Sequence, residues 1–193
     1  MFATLRLLLV LMGAFGVGLS SEAGSLSNQG TLKMVIDYKN KPDSFWKKNL
    51  KPEVYSICRQ KGTEAPGSGT YDHFYEKGTY YCACCGGDHA IYKSEAKFDS
   101  GTGWPSFWEP ISPDSVTLKE DQSGLFGWAR PRTEVVCSRC GGHLGHVFDD
   151  GPKEHTGQRY CMNSLALTFI PEGQAPKNSF KESPPEVDDN HEK

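Results

Sequence analysis

Seven cysteines, Cys58, Cys82, Cys84, Cys85, Cys137, Cys140 and Cys161, carry most of the chemistry available to this 193-residue chain, and their spacing sorts them. Four fall into two C-x-x-C pairs, Cys82-Ala-Cys-Cys85 and Cys137-Ser-Arg-Cys140, each followed at once by two glycines. A C-x-x-C turn presents two sulfurs from one knuckle, and the glycines let the backbone curl tightly behind them. Two knuckles supply the four thiolates that a tetrahedral zinc ion prefers, so Cys82, Cys85, Cys137 and Cys140 are read as ligands of one Zn2+. A closed four-thiolate shell keeps no position open for water or substrate, which makes the metal structural. Residues 86–136 separate the pairs, far more than in a free-standing ribbon, so the ion would staple two parts of a larger sheet. The same spacing also fits two redox centres, or disulfides in an oxidising compartment. Metal stoichiometry separates these readings.

Cys58, Cys84 and Cys161 remain, an odd set that points to a reactive thiol. Cys161 has the best surroundings. In Arg159-Tyr160-Cys161-Met162-Asn163, strand alternation puts Arg159, Cys161 and Asn163 on one face. The Arg159 guanidinium would favour the thiolate, and Asn163 could hold a substrate oxygen or orient a neighbour. The bland alternative is a small buried strand residue. A second element, His143-Leu-Gly-His146-Val-Phe148, follows the second knuckle directly. In a perfect strand His143 and His146 would face opposite ways, but a bulge at Gly145 could turn both toward one pocket, where either can donate a proton near neutral pH. A third element, Gly101-Thr-Gly-Trp104-Pro-Ser-Phe107, sets Trp104 and Phe107 on a glycine-rich loop. They could wall a pocket for an apolar group, or be ordinary core aromatics.

The elements that must position these residues are mainly β. Alternating or β-rich runs cover 79–83, 90–98, 115–119, 133–137, 144–148 and 159–170, broken by glycine and proline. Ahead of them, Asp43 and Ser44 can cap a short helix through Leu50, and Pro52 suits the first turn of another reaching about Gln60. The expected fold is mainly β: two antiparallel β-sheets with short N-terminal helices and a structural zinc site.

The ordered motifs together resemble the B-type methionine sulfoxide reductases. Those motifs are the two C-x-x-C pairs, Lys97 to Phe107 between them, His143 to Asp150-Gly-Pro152, and Arg159 to Asn163. The likeness runs from about Trp46 to Pro171 and includes Gly62-Thr63-Glu64. It implies the two-sheet fold, zinc remote from the catalytic cysteine, and reduction of methionine-R-sulfoxide in oxidised proteins. It also implies roles. Cys161 would attack the sulfoxide sulfur and become a sulfenic acid, with His143 or His146 protonating the oxygen and Asn163 positioning it. Arg159 would stabilise the thiolate, Asp150 would anchor it from behind, and Trp104 would pack on the substrate methyl. His143, Val147 and Asn163 match the pattern of members with cysteine rather than selenocysteine. The departure is Thr102, where many relatives carry a cysteine that condenses with the sulfenic acid before thioredoxin reduces the disulfide. Cys58 is the candidate resolving thiol in its place, with Cys84 a weaker choice. Direct reduction by a thioredoxin-like or small-thiol reductant is the other route.

The formal net charge of -3 gives no basic field for a nucleic-acid backbone. Residues 1–23 carry a lone Arg6 and the apolar run Leu7 to Val17, too short for a membrane span, with small Ser21 and Ala23 before Gly24. They read as a secretory signal peptide, which places the protein in the ER lumen or outside the cell; the alternative is a mitochondrial presequence. Residues 24–41 read as a flexible linker, 42–172 as the catalytic domain and 173–193 as a disordered acidic tail. A monomer without a stable membrane anchor is expected. Two rival functions remain: a zinc-ribbon binding module without catalysis, and a Cys-His hydrolase with Cys161 attacking an acyl carbon.

Overall fold

The computed structural model describes residues 36–121 and 132–180. Two short helices come first, α1 (Asp43–Asn49) and α2 (Pro52–Gln60). Pro52 opens α2, where its missing N–H costs nothing, and Lys61 ends it in the left-handed conformation with φ 56°. Nine strands follow: β1 (Gly78–Cys82), β2 (Ala90–Lys93), β3 (Lys97–Phe98), β4 (Ser106–Phe107), β5 (Val116–Asp121), β6 (Arg132–Cys137), β7 (His143–Phe148), β8 (Arg159–Met162) and β9 (Leu167–Pro171). They form two antiparallel sheets, β2-β1-β9 and β3-β4-β8-β7-β6-β5. The fold is mainly β, with helices at its N-terminal end, as the sequence pattern requires.

Two local features depart from that pattern. The run 159–170 is not one strand: a 3-10 turn at Ser164–Ala166 divides it, so that β8 lies in the large sheet and β9 in the small one. The hydroxyl of Ser164 accepts from the Tyr71 N–H and its own N–H donates to Glu64, which fixes the crossing. Conversely, the glycine-rich segment around Trp104 contains a strand, β4, which hydropathy alternation cannot reveal in two residues. It pairs with β8 and so borders Cys161.

The core between the sheets is strongly aromatic. Tyr92 stacks on Phe107 with centroids 4.3 Å apart, and Tyr80 meets Phe107 edge-on at 5.0 Å. Phe107 is therefore fully buried core rather than pocket wall, which corrects the expectation placed on it. The packed structure also reaches beyond 42–172. Tyr38, within the expected linker, and Phe180, within the expected tail, are both buried and lie 5.9 Å apart against Phe45 and Trp46. Apolar side chains flanking a polar segment had a surface to cover, and each contributes by covering it. The segment expected to be a signal peptide, residues 1–23, and most of the expected linker and tail fall outside the described residues.

Candidate active site and metal centre

The metal centre is built where strands stop. Cys82 ends β1 in the small sheet and Cys137 ends β6 in the large one, and each strand turns through its knuckle. Gly86, Gly87 and Gly141 take φ of 87°, 81° and 68°, a region open to glycine and costly for other residues. Backbone bonds close the turns: Gly87 N–H to the Cys82 carbonyl at 3.0 Å and Gly141 N–H to the Cys137 carbonyl at 2.8 Å. All four sulfurs are buried and lie within 4.8 Å of one another. Cys82 Sγ is 3.8 Å from Cys140 Sγ, and Cys85 Sγ is 3.9 Å from Cys137 Sγ. Metal–sulfur bonds of about 2.3 Å in a tetrahedron require sulfur–sulfur edges of about 3.8 Å. The four cysteines could thus hold a metal ion with little movement. The ion would tie together two separate sheets, not two parts of one sheet as the spacing suggested.

Cys84, the residue between the ligands, is buried and faces the thiols of Cys58 and Cys140. Cys58, on α2, is only 2% exposed. Neither lines the cavity that contains Cys161. The structure does not bring Cys58 to the nucleophile, because the face of α2 that carries it is turned into the sulfur cluster.

The second centre lies in the middle of the large sheet. Across β4, β8, β7 and β6 the ladder sets Ser106 opposite Cys161, Cys161 opposite His146, and His146 opposite Glu134. Directly paired residues share a face, so these four side chains form a row across the sheet. A bulge between Val135 and Val136 leaves Leu144 unpaired and brings His143 into the group; its ring lies 5.3 Å from that of His146. The irregularity is one residue from Gly145, where a Cβ would stand 2.1 Å from the Cys161 carbonyl oxygen. Glycine lets β7 approach β8 this closely.

Each imidazole is tied to a carboxylate. His143 Nδ1 lies 2.8 Å from Glu134 Oε1, and Glu134 Oε2 accepts from Lys61 Nζ at 2.8 Å. Burial pushes His143 below its ordinary value, against the upward pull of Glu134. Burial would raise Glu134, but hydrogen bonds from Lys61 and His143 hold it below the usual carboxyl range. The pair is a neutral imidazole on a charged carboxylate. The carboxylate can only accept, so Nδ1 carries the proton and the buried Nε2, which has no hydrogen-bond partner among the described residues, is bare. His146 donates through Nε2 to Asp121 Oδ2 at 2.8 Å, and Arg132 reaches the same oxygen at 3.1 Å.

His146, Arg132, Trp104, Phe148, Asn163 and Cys161 line a cavity of about 180 Å³. Trp104 is fixed by its indole N–H, which donates to the Glu64 carbonyl at 3.1 Å. Phe148 is the second aromatic wall, in the place expected of Phe107. Arg159 sits over the Phe148 ring at 4.5 Å and is gripped by Asp150 through two bonds of 2.8 and 2.9 Å. Asn163 has both ends of its amide engaged, accepting from Glu64 N–H at 3.0 Å and donating to the Leu144 carbonyl at 3.1 Å. It orients the backbone around the cavity. Glu64 in turn accepts from Ser164 and Leu165 N–H at 2.6 and 3.1 Å, pinning Gly62-Thr63-Glu64 over the site.

Cys161 is half-buried at this cavity. Burial pushes its thiol above the ordinary value; the Arg159 charge and the groups around the sulfur pull the other way without overcoming it. Burial thus outweighs the pull of Arg159 toward the thiolate. Arg159 is at the same time paired with Asp150. Sequence reasoning passed over Glu134, Asp121, Arg132, Phe148 and Ser106. Glu134 left a readable trace, a carboxylate directly ahead of Val-Val-Cys in β sequence, where an unpaired charge could not be buried.

Residues 50–171 match the family model described as the SelR domain. The chain is 56% identical over 129 residues to the peptide methionine sulfoxide reductase MsrB of Methanosarcina barkeri, which covers 67% of this chain and 86% of that protein. The MsrB of Methanosarcina mazei is 55% identical over 132 residues, covering 68% and 89%. That of Leptospira interrogans is 50% identical over 130 residues, covering 67% and 94%.

Proposed function

We infer the activity of this chain from one premise: it belongs to the SelR-domain family of MsrB peptide methionine sulfoxide reductases. Its reaction is the reduction of methionine sulfoxide in peptides and oxidised proteins, and its epimer is R. The observation that carries the reading is the row Ser106, Cys161, His146 and Glu134 beside an aromatic cavity sized for a thioether side chain. Trp104 and Phe148 would receive the methyl and methylene groups. Cys161 Sγ attacks the sulfoxide sulfur. His146 has Nε2 committed to Asp121, so Nδ1 is the nitrogen that takes the proton of the Cys161 thiol and passes it to the sulfoxide oxygen. His143, bare at Nε2 and held by Glu134, is the second proton site beside it. The net step balances as thiol plus sulfoxide giving sulfenic acid plus thioether: the methionine sulfur gains two electrons and the Cys161 sulfur loses two.

The sulfenic acid is then returned to thiol by an external reductant. Two thiol hydrogens enter, water leaves and the reductant becomes a disulfide. The burial of Cys58 against Cys84 supports direct reduction by a thioredoxin-like protein or a small thiol over an internal disulfide. The four-cysteine centre is suited to Zn2+ with a structural role, the thiolate donors being those zinc favours. Residues 1–23 are proposed as a secretory signal peptide, and no described helix is long and apolar enough to cross a membrane.

The test is a racemic methionine sulfoxide peptide incubated with metal-loaded, reduced protein and dithiothreitol, the epimers being resolved by chromatography. Loss of the R epimer alone is expected, abolished by Cys161→Ser. Persistence of both epimers would favour the binding-module reading, and turnover by Cys161→Ser would remove the nucleophile from the account.

A further inference from the structure

Around the sulfur of Cys161, on the side away from His146, three hydroxyls form a connected group. Ser106 is fully buried and stands directly opposite Cys161 across the β4–β8 ladder. Its Oγ is 2.8 Å from Ser100 Oγ, and Ser100 Oγ is 2.8 Å from Thr102 Oγ1. The hydroxyls of Thr102 and Ser106 both bear on the Cys161 thiol. The loop that carries them is set by Gly101 and Gly103, at φ 67° and 88°. Gly101 N–H donates to Asp99 Oδ1 at 2.9 Å, and the Gly103 carbonyl accepts from Gly67 N–H at 2.7 Å. Two of these hydroxyls, Thr102 and Ser106, bear on the sulfur, and the buried one, Ser106, must be satisfied.

The proton inventory makes the group reversible. A hydroxyl has one hydrogen to give and two lone pairs to receive with. While Cys161 is a thiol, Ser106 can donate to the Trp104 carbonyl, 3.2 Å away, and accept from Ser100 or from the thiol itself. When the sulfur carries negative charge, Ser106 and Thr102 can both rotate their hydrogens onto it. Ser100 then donates to whichever oxygen is left to receive. Only hydroxyl rotation separates the two arrangements, so the charged sulfur gains two donors without any movement of backbone or heavy atoms.

We propose that Thr102 and Ser106, linked through Ser100, form a hydroxyl cradle that stabilises the Cys161 thiolate at the moment of attack. The cradle adds to the pull of Arg159, whose guanidinium is shared with Asp150. It also gives position 102 a role of its own: a threonine there cannot resolve a sulfenic acid, but it can hold the sulfur anion. The other charged or titratable groups facing the sulfur are Arg159 on its own strand, His146 from β7, Arg132 from β6 and Tyr92 from β2. These stay constant when the hydroxyls are altered. The role in turnover rests on the reductase reading above, but the influence of the hydroxyls on the sulfur does not.

The experiment measures the alkylation rate of Cys161 by iodoacetamide between pH 6 and 10, by peptide mass mapping of the metal-loaded, reduced full chain. Thr102→Val is isosteric and lies on a half-buried loop. It should slow alkylation at pH 7.5 about tenfold and move the profile up by about one pH unit, as for loss of one hydrogen bond to a charged group. Ser106→Ala should do the same, and Ser100→Ala about threefold. Thr102→Ser keeps the donor and should stay within twofold of the native chain. A Thr102→Val profile that overlays the native one overturns the proposal, even if Ser106→Ala fails to fold. A chain without sulfoxide reductase activity that still shows the Thr102→Val shift would sink the reductase reading and leave the cradle standing.

Discussion

Six of the seven cysteines gather in one buried cluster and the seventh stands alone in another part of the large sheet, and the contrast shows how neighbours decide what a thiol does. At the cluster, sulfurs sit where strands end, on turns that glycines at positive φ allow to curl until four sulfurs meet. At the other centre, Cys161 sits within a strand, between Ser106 on one side and His146 on the other. One arrangement closes a shell. The other leaves a face of the sulfur toward a cavity.

The comparison is broken most sharply by exchanging one sulfur in each region. Cys161→Ser is expected to lower sulfoxide reduction by more than about a thousandfold, as for loss of a covalent nucleophile, with metal content and melting temperature unchanged. Cys137→Ser is expected to do the reverse in kind. An ion held there would be lost, and the melting temperature should fall by more than about 10 °C, because binding free energy at such a site is folding free energy. Activity would fall only as the fold does. A Cys137→Ser protein with native melting temperature but no turnover would erase the distinction between the two regions.

Next in size are the carboxylates behind the imidazoles. Asp121→Asn removes the charge that holds His146 and should reduce turnover by about a hundredfold, within the range for general acid catalysis. Acid stability sharpens the contrast from another side. His143 has its folded value lowered by burial, so the fold favours its neutral form. That stability is present above the unfolded value near 6.5 and is lost as pH falls below it. Glu134 is lowered by its donors, so its share is present above 4.5 and lost on further acidification. The native melting temperature should therefore descend in two stages. Glu134→Gln should keep the first stage and lose the second, and a single unchanged descent in both proteins would refute the assignment.

What the sequence made legible follows from the range of the interactions. The four-cysteine cluster could be read because C-x-x-C followed by two glycines is a local device, complete within six residues. The strands with clear alternation, such as β6 and β7, were legible for the same reason. The row across the large sheet was not. Ser106, Cys161, His146 and Glu134 are neighbours only through the register of strands far apart in the chain, whereas the irregularity that brings His143 to them lies one residue from Gly145, where a bulge was expected. Phe107 and Phe148 exchanged places because both are aromatics on short β segments, and only the pairing of β4 with β8 sends Phe107 inward. Cys58 misled in the same way: a thiol near Gly62-Thr63-Glu64 in sequence is turned from the site by the face of the helix that carries it.

The smallest effect concerns how the closed shell stays closed. Residues 173–180 return over the first knuckle. Ser179 N–H donates to the Gly86 carbonyl at 2.9 Å, and Asn178 Nδ2 donates to Tyr38 Oη at 2.8 Å and to Asp88 Oδ2 at 3.0 Å. A Cβ on Gly86 would stand 2.2 Å from Asn178 Oδ1, so the strap lies directly on the turn that presents Cys85. Phe180, buried against Tyr38 and Phe45, anchors its far end. Asn178→Ala would remove three exposed or half-exposed hydrogen bonds, the third from Phe180 N–H to Asn178 Oδ1, while leaving the Phe180 ring in place, a loss of about 1 kcal/mol per bond at most. The expected result is a threefold to tenfold faster transfer of zinc to a chromogenic chelator, with sulfoxide turnover of the loaded protein unchanged. Cys161 has no such cover and needs none, since its chemistry depends on being reached. Equal release rates in Asn178→Ala and native protein would mean that the knuckle holds its metal without the strap.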